Sequence, residues 1–310
     1  MSANKAKPHL HRRGKIILMG ASMTQMSLSA ELSGWGCYLA NIYQRRCDVY
    51  NRGMTGYNTD FYLNYLESDV GQYDVFEMMK GDHDDERGGD VKLITIFLGA
   101  NDASSKELNP LHHVPLQRYE SNLKTIVAKC RDNFGLDVRI ILITPTPICH
   151  KSRLEHQIKT YGDQASGKLE RTLALSGEYA RAVERVCGEI KLPCLNIWKD
   201  MQQSAAEWLK QRNYCENLIE KQSMDGKHPW SLLLSDGMHL SREGNLFLGE
   251  NLVALINKDY PEIAVKPCPH TNETGFAASK GGHGLGSIGG IGPWYEEIDP
   301  ADKERAFKAV

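Results

Sequence analysis

Ser22, Asp236 and His239 are three side chains whose types could together perform nucleophilic catalysis. A serine that attacks an ester needs a base to accept its proton, and the base needs a group that orients it. The motif Asp236-Gly-Met-His239 supplies the carboxylate and the base in one short unit. Its spacing lets the carboxylate reach Nδ1 of the imidazole and leaves Nε2 facing the serine. Taken alone, the motif also fits a helix start beside a surface histidine.

A nucleophilic serine also requires hydrogen-bond donors for the negative charge that develops on the substrate oxygen. The candidates are the backbone N–H groups of Ser22 and Gly53 and the side-chain amide of Asn101. A glycine at position 53 allows close backbone approach because it has no Cβ. Gly53 and the Asn101-Asp102 pair also fit ordinary turns when each is taken singly. Their joint occurrence leads us to predict an oxyanion hole formed by Ser22, Gly53 and Asn101.

The elements that must position these residues are short β-branched runs, which alternate with longer segments of helical periodicity. Such alternation predicts an α/β fold, a three-layer α/β/α sandwich with a flavodoxin-like parallel sheet. The near-continuous hydrophobicity of the runs is typical of strands that are covered on both faces. The predicted strands are Lys15–Met19, Asp48–Asn51, Val91–Leu98, Val138–Thr144 and Pro193–Ile197, and the clearest helices are Leu116–Phe134, Leu173–Ile190 and Ser241–Lys258.

Three of the candidate residues each follow one of these strands, whereas Asp236 and His239 precede the last helix. Ser22 comes after the first strand, Gly53 after the second and Asn101 after the third. In an open parallel sheet, ligands bind outside the carboxyl ends of the strands, where the strand order reverses. A flavodoxin-like order puts that point between the first and third strands, so we expect Ser22 and Asn101 to flank one crevice.

Two polar segments, Lys80–Asp90 and His150–Gly167, are interpreted as insertions without regular structure. The second follows the fourth strand, so its position allows it to cover part of the site. Thr271–Gly292 is rich in Gly and Ser, which is typical of a flexible linker or loop. Its Gly284-x-Gly286-x-x-Gly289 spacing lacks the preceding strand and following helix of a dinucleotide site.

These composition changes divide the chain of 310 residues into three parts. We predict an N-terminal tail over 1–13, a hydrolase-like domain over 14–260 and a C-terminal extension with its Gly-rich linker over 261–310.

Composition and charge exclude several classes of partner. The chain is 41% hydrophobic and 25% charged, with a formal net charge of -2. These values predict a globular protein that binds neither nucleic acid nor an anionic membrane surface, since phosphates require clustered basic residues. No run reaches the length of a transmembrane helix and no signal peptide is recognised, so we expect no integral membrane segment.

The eight cysteines contain no CxxC pair and no zinc-type spacing. Several, such as Cys130 and Cys187, lie in apolar stretches where a thiol acts as a small core residue. We interpret them as reduced thiols of a cytoplasmic protein, with a disulfide framework as the less favoured alternative. The His112-His113 pair also lacks a ligand spacing, so no metal site is predicted.

Five stretches of this chain resemble the conserved blocks of the SGNH (GDSL-type) hydrolase family, and in particular its isoamyl acetate-hydrolysing esterase-like subgroup. The similarity extends from about Gly14 to Tyr260. The matching stretches are Gly20–Gln25, Asn51–Thr59, Thr95–Ser104, Val114–Tyr119 with Asn122-Leu123, and Leu234–Ser241 with Glu243-Gly244-Asn245.

The resemblance implies the same three-layer fold, no metal or cofactor, and hydrolysis of small carboxylic esters through an acyl-enzyme. The expected partner is a small-molecule ester, and a homo-oligomer is compatible with the sequence. A deacetylase or acyltransferase acting on a sugar or lipid remains an alternative, because water and another alcohol attack the same acyl-enzyme. A binding protein that kept the fold and lost turnover is a second alternative.

One residue departs from the family pattern. The first block of the family reads Gly-Asp-Ser, whereas this chain has Gly20-Ala21-Ser22. The aspartate at this place is not the triad acid, whose part Asp236 takes. Ala21 either loosens the position of Ser22 or is matched by compensating packing.

Overall fold

One parallel sheet forms the middle layer of the fold. The computed structural model describes residues 13–80, 90–214, 216–225 and 227–265. Within these residues the sheet has five strands in the order β2-β1-β3-β4-β5, and all pairings are parallel. The strands are β1 Gly14–Gly20, β2 Cys47–Gly53, β3 Val91–Phe97, β4 Ile140–Ile143 and β5 Cys194–Leu195. The predicted α/β class and flavodoxin-like strand order are confirmed.

Helices connect the strands and cover the sheet. In chain order they are α1 Ser22–Gln25, α2 Trp35–Ile42, α3 Thr59–Glu67, α4 Asp69–Gly71, α5 Met78–Lys80, α6 Leu116–Phe134, α7 His150–Tyr161, α8 Leu173–Ile190, α9 Ile197–Gln211, α10 Glu216–Met224 and α11 Arg242–Asp259. A π-helical segment, Gln72–Glu77, joins α4 to α5.

Alternate residues of β1 supply the two cores, because successive side chains of a strand point to opposite faces of the sheet. Ile16 and Leu18 pack into one core together with residues of α2, α9 and α11. Ile17 and Met19 pack into the other core with residues of α3, α6 and α8. Each of these four β1 side chains is fully buried. The sheet is therefore covered on both faces, as its continuous hydrophobic pattern predicts.

The long helices have the predicted bounds, whereas one predicted loop is wrong. Helices α6 and α8 begin and end at the predicted residues, and α11 begins one residue later than predicted because Ser241 is its N-cap. The segment His150–Gly167 was predicted to lack regular structure, but it begins with the twelve-residue helix α7. Its buried side chains are Arg153 and Gln157, so no apolar stripe marks it in the sequence.

The packed domain continues past residue 260, where we predicted its end. The chain turns through the short 3-10 helix Pro261–Ile263, and both Ile263 and Val265 belong to the core. The hydroxyl of Tyr43 donates to the carbonyl of Ile263 at 2.9 Å. Packing against the core therefore extends to Val265, which is still buried.

Several predictions fall outside the described residues. These are the N-terminal tail except Arg13, most of the polar segment after α5, and the Gly-rich linker. Among the described residues, no helix is long and apolar enough to cross a membrane. The six cysteines described there, at positions 37, 47, 130, 149, 187 and 194, are free thiols. The cytoplasmic location inferred from the cysteines stays a prediction.

Candidate active site

Ser22 lies at the junction of β1 and α1. β1 ends at Gly20, and Ser22 is the first residue of the helix, where a backbone N–H has no acceptor within the helix. Its side-chain Oγ lies 3.0 Å from Nε2 of His239, 217 residues later in the chain. Only 8% of Ser22 is exposed. The hydroxyl is therefore partly shielded and already paired with an imidazole.

The Asp236–His239 turn orients that imidazole. Oδ2 of Asp236 lies 2.8 Å from Nδ1 of His239. Oδ1 of the same carboxylate accepts the backbone N–H groups of Met238 at 2.9 Å and of His239 at 2.8 Å. Because the carboxylate can only accept at Nδ1, the proton of the neutral ring resides there and Nε2 is left with a lone pair toward Ser22. This tautomer is the one that can take a proton from the serine.

Asp236 is held in its ionised form. Burial on its own would raise the pKa of this carboxyl group, but the hydrogen bonds and charge of His239 and the charge of Arg153 outweigh burial and lower the pKa well below its usual range. Arg153 Nη1 donates to Oδ2 of Asp236 at 2.8 Å. The side chain of Arg153 is only 8% exposed. A buried cation thus supports the negative charge that holds His239.

Asn101 lies in the turn after β3 with both ends of its amide bound. Its Nδ2 donates to the carbonyl of Tyr57 at 2.9 Å, and its Oδ1 accepts from Nη2 of Arg171 at 3.1 Å. Arg171 Nε also donates to the carbonyl of Ala100 at 2.8 Å. The Nδ2 group has a second hydrogen that these contacts leave available.

The structure places Gly53 differently from the prediction. The N–H of Gly53, which was predicted to serve an oxyanion, donates to Oδ1 of Asn51 at 2.8 Å and is therefore not free in this structure. Gly53 has a packing role instead. A Cβ built at Gly53 would lie 2.1 Å from the backbone nitrogen of Gln25, which leaves no room for a side chain between β2 and α1. The missing Cβ thus allows a close backbone approach, here between β2 and α1.

Gly56 was not among the predicted site residues, although it lies within one of the matching stretches. It has a φ of 83°. Its N–H makes no hydrogen bond within the described part of the chain. The neighbours of Gly56 are anchored on both sides, because the N–H of Thr55 donates to Oε1 of Gln25 at 2.8 Å and the carbonyl of Tyr57 accepts from Asn101.

Ala21 is matched by packing. It is 4% exposed and belongs to the core that contains Met19, Tyr62 and Leu98. Its carbonyl accepts the N–H groups of Thr24 at 3.1 Å and Gln25 at 2.8 Å, which closes the first turn after the strand. Of the two alternatives for this position, the structure favours compensating packing over a loosened serine.

Sequence reasoning also missed Arg153, Glu170 and Arg171. Glu170 accepts from both arginines, and these arginines contact Asp236 and Asn101. In the sequence the three residues lie in a polar stretch that looks like a solvated surface. No spacing rule signals them, since their common site exists only after α7 and the segment before α8 fold onto the strand ends.

Known proteins match most of this chain in sequence. The model of the GDSL-like Lipase/Acylhydrolase family matches residues 18–246. The isoamyl acetate-hydrolyzing esterase 1 homolog of Bos taurus is 34% identical over 244 residues, which cover 79% of this chain and 82% of that protein. A GDSL esterase/lipase of Arabidopsis thaliana is 33% identical over 297 residues, which cover 95% of this chain and 98% of that protein.

Solved structures share the fold. A lipase/acylhydrolase from Enterococcus faecalis superposes with a TM-score of 0.51 at 21% identity, covering 79% of this chain and 96% of that chain. An acetyl xylan esterase gives a TM-score of 0.50 at 14% identity, covering 78% of this chain and 99% of that chain. At these identities the likeness concerns the arrangement of sheet and helices.

Proposed function

The chain belongs to the GDSL-like lipase/acylhydrolase family and is a hydrolase that acts on ester bonds, and from this premise we propose that it is a serine carboxylester hydrolase cleaving small, short-acyl esters through an acyl-enzyme. The observation that supports the proposal is the continuous hydrogen-bonded series from Ser22 through His239 to Asp236. Its two contacts measure 3.0 Å and 2.8 Å, which are hydrogen-bonding distances.

In the proposed reaction Ser22 is the nucleophile and His239 is the base. Oγ of Ser22 attacks the ester carbonyl carbon while Nε2 of His239 takes the hydroxyl proton. The tetrahedral intermediate collapses, the bond to the alcohol oxygen breaks, and His239 returns its proton to that oxygen. Water then attacks the acyl-enzyme with His239 again as base, which releases the acid and restores the serine hydroxyl. Asp236 keeps the ring in the required tautomer and stabilises the imidazolium.

The oxyanion donors in this proposal are the N–H of Ser22, the N–H of Gly56 and the free hydrogen of Asn101 Nδ2. Gly56 replaces Gly53 because the N–H of Gly53 is already bonded to Asn51, whereas that of Gly56 has no partner in the described structure. Preorganised donors in a partly buried site stabilise charge more strongly than water does, since they need not reorient during the reaction.

The nucleophile assignment is tested with the variant Ser22→Ala and a fluorophosphonate probe. We expect the wild-type protein to be labelled covalently and the variant to remain unlabelled, because the probe reacts with the activated serine. Ser27→Ala is the matched control, since this buried serine accepts from Asn51 at 3.3 Å and has no hydrogen bond to His239 in the described part of the chain. Labelling of Ser22→Ala at the wild-type rate would refute the assignment.

Acyl preference is tested with p-nitrophenyl esters of increasing acyl length. The proposal predicts the highest kcat/KM on acetate, with hydrolysis lost in Ser22→Ala. A preference for long acyl chains would overturn the short-acyl part and leave the ester hydrolase intact. Transfer of the acetyl group to an added sugar or alcohol in preference to water would favour an acyltransferase. Absence of turnover with retained ligand binding would favour a binding protein.

A further inference from the structure

Three charged side chains of alternating sign, Arg153, Glu170 and Arg171, connect the triad acid Asp236 to Asn101. Arg153 Nη1 donates to Asp236 at 2.8 Å, and its Nη2 donates to Oε1 of Glu170 at 2.9 Å. The same Oε1 accepts from Nη1 of Arg171 at 2.5 Å. Arg171 then donates through Nη2 to Oδ1 of Asn101 at 3.1 Å. The two halves of the proposed catalytic site are thus joined by a route that does not pass through Ser22.

The two arginines of the series are buried, and together with Asp236 the charges of the series balance. The side chains of Arg153 and Arg171 are 8% and 6% exposed, and that of Glu170 is 22% exposed. Burial alone would raise the pKa of Glu170, but the hydrogen bond from Arg153 and the charges of both arginines lower it below its ordinary value. Buried ion pairs contribute little net stability, because desolvation offsets their attraction. Net stability therefore does not explain why two buried arginines share the carboxylate of Glu170.

The contact with Asn101 supplies such a reason. A guanidinium group has donors only, so the amide atom that faces Arg171 must be the oxygen. On the other side, the carbonyl of Tyr57 accepts from Nδ2 at 2.9 Å. A flipped amide would place oxygen against the Tyr57 carbonyl and NH₂ against the guanidinium, and both contacts would be repulsive. Arg171 and Tyr57 therefore allow one orientation of the amide only, with Nδ2 toward the Tyr57 carbonyl and its second hydrogen free.

Arg171 is itself fixed by backbone contacts as well as by Glu170. Its Nε donates to the carbonyl of Ala100, the residue before Asn101, at 2.8 Å. The carbonyl of Glu170 accepts the N–H of Ser105 at 2.7 Å, which attaches this segment to the turn after β3. Three separate donors of one guanidinium thus bind the backbone before Asn101, the amide of Asn101 and a carboxylate. A lysine has a single ammonium nitrogen and cannot reproduce this fork.

We propose that Arg171 is a positioning residue that sets the amide of Asn101 for oxyanion stabilisation, and that Glu170 holds Arg171 in place while sharing its carboxylate with Arg153. The inference rests on the proposed function, in which Asn101 donates to the oxyanion. Arg171 does not touch the substrate in this proposal, so its whole effect on turnover passes through Asn101.

The test is a double-mutant cycle on p-nitrophenyl acetate hydrolysis with Arg171→Lys and Asn101→Ala. In the otherwise wild-type protein we expect Arg171→Lys to lower kcat roughly 10- to 100-fold, since small misplacements of a catalytic group cost about that much. KM should change less than about threefold, because Asn101 acts on charge that develops in the transition state. In the Asn101→Ala protein the same lysine substitution should change kcat less than about threefold.

The control is Arg185→Lys, which alters an arginine in an exposed ion pair with Glu120 and should leave kcat unchanged in both backgrounds. An equal effect of Arg171→Lys with and without Asn101 would overturn the proposal, as would an unchanged kcat in the wild-type background.

If Arg171→Lys does not fold, as judged by circular dichroism, Glu170→Gln takes its place. This variant removes the charge that holds Arg171, and its effect on kcat should shrink when Asn101 is alanine. An undiminished effect would contradict the proposal.

Failure of the proposed function gives a different pattern. If Asn101→Ala alone changes kcat less than about threefold, Asn101 is not an oxyanion donor. In that case the role of Asn101 in the proposed function is contradicted, and the positioning role of Arg171 falls with it. If Asn101→Ala has its full effect while Arg171→Lys remains independent of it, only the positioning role fails.

Discussion

At the residue scale, the amide of Asn101 combines two fixed contacts with one free hydrogen. Its oxygen is held by Arg171 and one of its N–H bonds by Tyr57, so little reorientation is needed when the oxyanion forms. We expect Asn101→Ala to lower kcat about 100- to 1000-fold, the usual cost of removing one oxyanion donor. Steady-state kinetics on p-nitrophenyl acetate measures the effect. A loss below roughly threefold would count against the role of Asn101.

Gly53 and Gly56 should respond differently to alanine because their surroundings differ. A Cβ at Gly53 meets the backbone of Gln25 at 2.1 Å, whereas at Gly56 its nearest neighbour is Nε2 of His112 at 3.9 Å. We expect Gly53→Ala to impair folding. Gly56→Ala should cost about 1–2 kcal/mol of stability, since position 56 has a left-handed φ, and should lower kcat by disturbing the loop between Thr55 and Tyr57.

Urea unfolding and steady-state kinetics on the purified variants distinguish the packing role of Gly53 from the proposed oxyanion role of Gly56. An unchanged kcat in a folded Gly56→Ala protein would contradict the placement of its N–H in the oxyanion hole. A Gly53→Ala protein as stable as the wild type would show that the close approach of β2 and α1 does not constrain the fold.

At the residue scale, sequence reasoning is strongest where strand topology determines position. The carboxyl ends of β1 and β3 are adjacent in the sheet, so Ser22 and Asn101 were expected to flank one crevice. For Gly53 the sequence does not show which backbone N–H groups are already bonded. Here the side chain of Asn51, two residues earlier, takes that of Gly53.

At the element scale, helix periodicity predicts helices whose buried face is apolar. α6 buries Leu123, Ile126, Val127 and Cys130 at intervals of three and four residues, and its bounds were predicted correctly. α7 buries Arg153 and Gln157, one turn apart, so a search for apolar periodicity misses it. The charged face of α7 is buried because its partner surface carries Asp236 and Glu170. This charge complementarity exists only in the folded protein, so the sequence of α7 alone does not show it.

Gly237 tests how closely α7 packs on the catalytic turn. It has a φ of 84°, and a Cβ there would lie 2.4 Å from the backbone nitrogen of Arg153 and 2.7 Å from the carbonyl oxygen of Cys149. We expect Gly237→Ala to lower both stability and kcat, since α7 must move and carry Arg153 away from Asp236. Gly135→Ala is the matched control, because Gly135 has a φ of 94° with no atom within 4 Å of the built Cβ.

Both variants bear the cost of an alanine at positive φ, about 1–3 kcal/mol. The loss of unfolding free energy beyond that of Gly135→Ala therefore reports the contact with α7. Urea unfolding gives the difference, and kcat shows whether the triad is disturbed. Equal losses in the two variants, with kcat unchanged, would mean that the turn does not depend on α7.

At the scale of the whole molecule, Asp102 connects the sheet to two helices of one layer. It lies after β3 and is fully buried. Its Oδ1 accepts from the backbone N–H of Thr59 at 2.9 Å and from the Thr59 hydroxyl at 2.5 Å, at the start of α3. Asn122 of α6 donates to the same hydroxyl at 2.9 Å. Oδ2 of Asp102 has no partner among the described residues.

This environment makes the stability of the protein depend on pH in a defined direction. Burial raises the pKa of Asp102 to about 7, and the hydrogen bonds from Thr59 oppose burial without cancelling its effect. Between the ordinary aspartate pKa near 4 and about pH 7, the folded protein keeps a proton that the unfolded chain has released. Stability contributed by this proton is fully present below about pH 4, falls as the pH rises, and is lost above about pH 7.

The variant Asp102→Asn isolates this contribution, because its amide oxygen can still accept from Thr59 while the titratable proton is gone. We expect the unfolding free energy of the variant, relative to wild type, to rise by as much as about 1.4 kcal/mol per pH unit between about pH 4 and pH 7 and then to level off. Urea unfolding across that range measures this difference in unfolding free energy.

Asp137→Asn, at an exposed site, corrects for the loss of one carboxylate charge. The low pKa of Asp236 makes stability fall at acid pH in every one of these proteins, so that contribution cancels in the difference. Parallel curves for wild type and Asp102→Asn would show that this carboxyl group is ionised in the folded protein throughout the range.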